Sequence, residues 1–87
     1  MKIKDGFVLR KVAGSYLVVA FGQQSIDFNG MISLNDTGAF LWNKLANDIG
    51  KDELVEAMLQ EYDVSRAQVE KDVDNFIKKL EDNNLAE

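Results

Sequence analysis

The stretch Met31–Trp42, MISLNDTGAFLW, marks the point where the chain changes from strand-like to helical sequence. Met31–Leu34 suits a short β-strand. The three residues after it, Asn35, Asp36 and Thr37, can each cap a helix by accepting a hydrogen bond from a backbone N–H. The residues that follow are largely apolar and begin a helical apolar face. A strand that runs straight into a capped helix, with no linker, predicts one compact unit built around this junction.

The sequence before this stretch contains further β-prone segments. Phe7–Val12 and Tyr16–Phe21 are separated by a short link containing Gly14, which supplies the backbone freedom that a tight reversal needs, so a hairpin is predicted. Ser25–Phe28 alternates apolar and polar residues, and the Asn-Gly pair after it favours a second hairpin. That second hairpin would fold Met31–Leu34 back against Ser25–Phe28.

The sequence after the stretch predicts three helices. The first spans about Asp36–Ala46 and the second about Lys51–Tyr62. The third follows Ser65, which has a Gln three residues later as in a capping box, and runs to about Asp82. Leu85 is expected to fold back onto the core. A small antiparallel sheet of about three strands followed by three α-helices is an α+β, winged helix-turn-helix-like arrangement.

Composition restricts the chemistry. The 87 residues allow one domain, over residues 1–87, and contain no His and no Cys. Thiol nucleophiles, Cys/His metal sets and the usual general base at neutral pH are therefore absent. The helical carboxylates have the spacing of solvated faces, not of a catalytic pair or a calcium loop. We therefore expect no enzyme activity and no cofactor.

The sequence also restricts the partners and the location that we expect for this protein. Nothing resembles a signal peptide and no apolar run reaches membrane-spanning length, so a cytoplasmic protein without a membrane partner is expected. The formal net charge is −5, which disfavours nucleic acid because duplex binding depends on neutralising phosphates. Trp42, the single tryptophan, is interpreted as a core anchor of the first helix.

Several motifs, taken in order, resemble one family. Leu34–Trp42 is similar to the Leu-Asn-x-Thr/Ser-Gly-x-x-x-Trp signature of the PqqD family, named for a small protein of pyrroloquinoline quinone biosynthesis. Glu61–Val64 resembles the end of that family's second helix. Val73–Leu80 contains its Val-x-x-Phe-x-x-x-Leu pattern, and Leu85 matches a leucine near the end. The likeness covers nearly the whole chain.

The resemblance implies a three-stranded sheet on a three-helix winged bundle, acting as a precursor-peptide recognition element. Such a domain captures the leader of a ribosomally synthesised peptide and presents it to a modifying enzyme, often a radical S-adenosylmethionine (radical SAM) protein. The leader would add as a strand beside the third strand and lie against the third helix. The implied contact positions are Met31, Ile32, Ser33 and Leu34 on the strand, and Arg66, Glu70, Val73, Asp74 and Ile77 on the helix.

The residues leave several alternatives open. Val73 and Ile77 suit either a core position or an apolar pocket for the peptide. Arg66 and Lys78 would either contact acidic leader residues or be solvated. Two rival functions are a winged-helix DNA-binding or transcriptional module and a protein–protein adaptor that uses an exposed strand edge. An unpaired edge could also recruit a second copy, giving a homodimer.

Overall fold

Three antiparallel strands precede three helices in the computed structural model, which describes residues 1–22 and 32–87. The strands are β1 (Phe7–Val12), β2 (Ser15–Ala20) and β3 (Ile32–Leu34), and the helices are α1 (Asp36–Lys44), α2 (Lys51–Glu61) and α3 (Arg66–Asp82). The predicted α+β architecture is confirmed.

β2 is the central strand of the sheet. It pairs with β1 from Phe7 opposite Ala20 to Val12 opposite Ser15, and with β3 from Tyr16 opposite Leu34 to Val18 opposite Ile32. Both residues of the β1–β2 turn have positive φ, as the common two-residue hairpin turn requires. The first predicted hairpin is confirmed, and β1 and β3 form the two edges of the described sheet.

The second predicted hairpin lies outside the described residues. Ser25–Phe28 and Asn29-Gly30 fall between the two described ranges, as does Met31. Within the described ranges, β3 pairs with β2, and no strand pairs with the outer side of β3. In that part of the chain, the outer side of β3 is therefore an open strand edge.

The junction between β3 and α1 is fixed by Asn35. Its side-chain Oδ1 accepts a hydrogen bond from the Gly38 backbone N–H at 2.8 Å and from the Thr37 hydroxyl at 3.0 Å. Asn35 is thus the N-cap among the three candidates. A Cβ on Gly38 would lie 3.1 Å from Asn35 Oδ1 and 3.2 Å from Leu34 Cβ, so this turn has room only for glycine without displacing its neighbours.

Replacing this cap should weaken the fold measurably. We expect Asn35→Ala to lower the free energy of unfolding by about 1 kcal/mol, because the first turn of α1 loses its side-chain acceptor. Asn43→Ala is the control, since Asn43 is exposed within the same helix. Urea denaturation followed by circular dichroism would measure both variants. An equal effect at the two positions would contradict the capping role.

The core lies between the sheet and all three helices. Its most deeply buried large side chains are Leu41, Leu45, Leu54, Met58, Leu80, Leu85, Val18, Val69 and Val73. Trp42 is 7% exposed and belongs to the same cluster, which confirms it as a core anchor. Phe40 and Tyr62 extend the cluster with an edge-to-face ring contact, their centroids 5.5 Å apart.

α3 ends in a Schellman motif that returns the chain to the core. Asn84 has a left-handed φ of 56°, its N–H donates to the Glu81 carbonyl at 3.1 Å, and the Leu85 N–H donates to the Leu80 carbonyl at 2.9 Å. The Leu85 carbonyl in turn accepts from the Lys4 N–H at 2.9 Å. Leu85 is fully buried, which confirms that it folds back.

Candidate functional site: a groove between β3 and α3

α3 carries two different polar flanks on either side of its buried stripe. The stripe is made by Val69, Val73, Phe76 and Leu80. At 100° per residue, Arg66, Glu70 and Asp74 fall to one side of this stripe, and Asp72, Asn75 and Lys79 fall to the other. The flank that faces β3 can contribute to a site beside the open strand edge, and the other flank cannot.

The first flank faces α2. Arg66 lies 2.5 Å from Glu56 and 4.0 Å from Glu70, and Asp74 lies 2.7 Å from Lys51. The hydrogen bond to Asp74 raises the pKa of Lys51, and the hydrogen bond to Glu56 raises the pKa of Arg66. All these groups are exposed, so the ion pairs add little stability, but they show which way this flank points.

The second flank faces β3 and forms one wall of a groove of about 640 Å³. The groove is lined by Asp72, Asn75, Phe76 and Lys79 of α3, by Ser33 and Leu34 of β3, by Gly14, Ser15 and Tyr16 around the start of β2, and by Asn35, Asp36, Thr37, Gly38 and Leu41 around the start of α1. Leu34, Leu41 and Phe76 are buried and give it an apolar base, whereas most of the remaining lining residues are polar. An extended peptide with alternating side chains suits this shape.

Two of the four predicted strand positions line this groove. Ser33 is exposed and Leu34 is buried, and both line it. Ile32 is half-buried and packs against the core. Met31 lies outside the described residues.

The predicted helix positions lie elsewhere on α3. Arg66, Glu70 and Asp74 are on the flank that faces α2. Val73 is fully buried in the core, and Ile77 is partly buried and packs against it. None of the five lines the groove. As peptide contacts they stay predictions, and the geometry favours the opposite flank.

The α3 residues that line the groove were not among the positions predicted from the sequence. Asp72, Asn75, Phe76 and Lys79 follow one another at intervals of three, one and three residues, which is a helical stripe of its own. That spacing could have identified them as one face. It could not have told which of two flanks is turned toward β3, because both border the same buried stripe.

Some other kinds of site lack their usual features in the described residues. Within 1–22 and 32–87 no group of three acidic side chains could hold a metal ion, and no helix could span a membrane. α3 carries four basic and five acidic residues, so it lacks the positive excess expected of a DNA recognition helix.

Comparisons with known proteins identify the family of this chain. The model of the family described as Coenzyme PQQ synthesis protein D (PqqD) matches residues 18–86. The chain belongs to the PqqD family. The family resemblance noted from the Leu34–Trp42 signature is thereby confirmed.

Two solved structures are similar to this PqqD-family chain. "TbiB1 in Complex with the TbiA(beta) Leader Peptide" is 28% identical, with a TM-score of 0.77, over 100% of this chain and 95% of the other. "Lasso peptide synthetase B1 complexed with the leader peptide" is 18% identical, with a TM-score of 0.72, over 97% and 93%. The second likeness shows a shared fold. A comparison with curated proteins gives no match.

Proposed function

We propose that this PqqD-family chain is a non-catalytic module that captures the leader of a ribosomally synthesised precursor peptide and presents it to a modifying enzyme. The observation that carries the proposal is the likeness to TbiB1, which was solved with a leader peptide and matches this chain from end to end. The groove between β3 and α3 supplies a place for such a peptide. The family resemblance suggests a radical SAM enzyme as one class of partner.

The leader would bind by strand addition to the outer side of β3. Its backbone would pair with that edge, and alternate side chains would enter the groove beside α3. One or two of the three β3 residues face its outer side, each with one N–H and one C=O, so about two to four backbone hydrogen bonds form, at a net ~0.5–1.5 kcal/mol each. Ordering three leader residues costs ~1–2 kcal/mol each, so backbone pairing alone does not hold the peptide. Leu34, Leu41 and Phe76 at the base of the groove would supply the remaining affinity.

A non-catalytic role fits the residue types in the groove. It contains carboxylates, hydroxyls, amides and one lysine, and the chain contains no His or Cys that could act as a base or nucleophile at neutral pH. Modification of the peptide would then fall to the partner enzyme. A cytoplasmic location, where precursor peptides are made, belongs to the same proposal.

Titrating the ¹⁵N-labelled protein with a panel of leader peptides, including the TbiA(beta) leader, tests this function. We expect saturable shifts at Ser33 and Leu34 of β3 and at Asp72, Asn75 and Lys79 of α3. Scrambled peptides of equal composition are the control. If no leader gives saturable shifts, or if the shifts cluster on Arg66, Glu70 and Asp74 instead, the proposed site is wrong.

A further inference from the structure

The charged residues on the two flanks of α3 differ in whether they are paired. On the flank that faces α2, Arg66 and Asp74 each form an ion pair with a residue of α2. In the groove, Asp36, Asp72 and Lys79 form no ion pair with any residue in the described ranges 1–22 and 32–87. The groove therefore presents charges that a ligand can neutralise.

Among these charged groups, the Asp72 carboxylate has the most restricted position. It is half-buried, whereas every other charged residue of α3 is exposed. The Gln68 side-chain amide donates to Asp72 Oδ1 at 2.8 Å and so holds the carboxylate in one orientation. Among the described residues, Oδ2 has no donor. A partly buried, oriented carboxylate favours a basic side chain more strongly than a mobile surface carboxylate does.

Lys79 supplies a charge of opposite sign in the same groove. It lies seven residues after Asp72 on the same flank, which is about 10 Å along a helix. Alternate side chains of an extended peptide repeat every ~6.6 Å on one face. Side chains two or four positions apart in the peptide, a span of ~7–13 Å, can therefore approach the two charges together.

We propose that the groove selects leaders by charge order, with a basic leader residue against Asp72 and an acidic one, two or four positions away, against Lys79. This selection rests on the proposed function, because it assumes that an extended peptide lies between β3 and α3. It assigns Asp72 and Lys79 as specificity-determining residues.

A displayed library of random 12-residue peptides provides the probe. The wild-type chain, the charge-exchanged variant Asp72→Lys/Lys79→Asp, and the control Asp74→Lys/Lys78→Asp would each be used to select binders. The control exchanges the same two residue types on the same helix, but neither Asp74 nor Lys78 lines the groove. Circular dichroism would establish that all three proteins are folded.

We expect wild-type binders to be enriched in a basic and an acidic residue two or four positions apart, and the charge-exchanged variant to reverse their order. The control should select the wild-type order. For one selected peptide, Asp72→Asn should raise Kd about fivefold, as for one partly exposed ion pair, and Asp74→Asn should change it less than twofold.

The outcomes separate this inference from the function on which it rests. If binders shift the amides of Ser33 and Leu34 but show no charge order, or if both exchanges alter it equally, charge selection is wrong and leader binding stands. If the wild-type chain selects no peptide that perturbs β3, the proposed function is wrong and the charge selection is wrong with it.

Discussion

Methylating single backbone nitrogens of a bound leader is expected to weaken binding in an alternating pattern along the peptide. In a β-ladder, successive N–H groups point to opposite sides, so only every second leader N–H would face β3. A methyl group at such a position removes a hydrogen bond, leaves a carbonyl of β3 unsatisfied and obstructs the approach of the strands. We expect Kd to rise about 10- to 100-fold there, which corresponds to the ~1–3 kcal/mol cost of an unsatisfied buried group.

The positions between them are the matched control. Methylating a nitrogen that points away from β3 leaves the pairing intact, so Kd should change only about threefold or less. Isothermal titration calorimetry with a leader that saturates the protein would measure the whole series. A uniform loss along the peptide, or no loss at any position, would show that the leader does not bind as an added strand. Because β3 has three residues and only alternate residues face its outer side, the strong effects are limited to one or two leader positions.

Truncating Leu85 is expected to destabilise the fold strongly. Leu85 is fully buried, and it closes the Schellman motif at the end of α3. We expect Leu85→Ala to lower the free energy of unfolding by about 2–5 kcal/mol, the cost of removing a buried leucine side chain and leaving a cavity. In a domain of this size each 1 kcal/mol lowers Tm by about 4–8 °C.

Val64→Ala is the control for Leu85→Ala. Val64 is an aliphatic residue between α2 and α3, but it is 44% exposed, so its truncation should cost less than about 0.5 kcal/mol. Calorimetric melting of the two variants would compare them. Equal, small effects would mean that the last residues do not pack on the core in solution. Because Leu85 packs at the end of α3, its loss should also loosen the Lys79 end of the groove and weaken leader binding.

Much of the local structure could be predicted from the sequence. The β1–β2 hairpin, the cap at Ser65 and the return of Leu85 to the core are all present. The predicted ends of two helices differ from the observed ends by one or two residues. α1 ends at Lys44, two residues before the predicted Ala46, and α2 ends one residue before Tyr62.

Only one of the two hydrogen bonds of the capping box predicted at α3 is present. Ser65 Oγ accepts a hydrogen bond from the Gln68 backbone N–H at 3.2 Å, as predicted. The Gln68 side chain, however, donates to Asp72 and so does not reach back to Ser65. The Ser65 backbone N–H and the Asp72 carboxylate are three and four residues from Gln68, and sequence spacing does not decide which of them its side chain contacts.

The sequence by itself determined the elements and the buried stripe of each helix, because caps, turns and apolar periodicity act over a few neighbouring residues. Only the tertiary structure decided that β3 pairs with β2, and that Asp72, Asn75 and Lys79, rather than Arg66, Glu70 and Asp74, face the groove. Both flanks of α3 carry charged residues and border the same stripe, so the spacing of the apolar residues does not tell which flank is turned toward β3. The packing of α2 against the first flank settles that rotation.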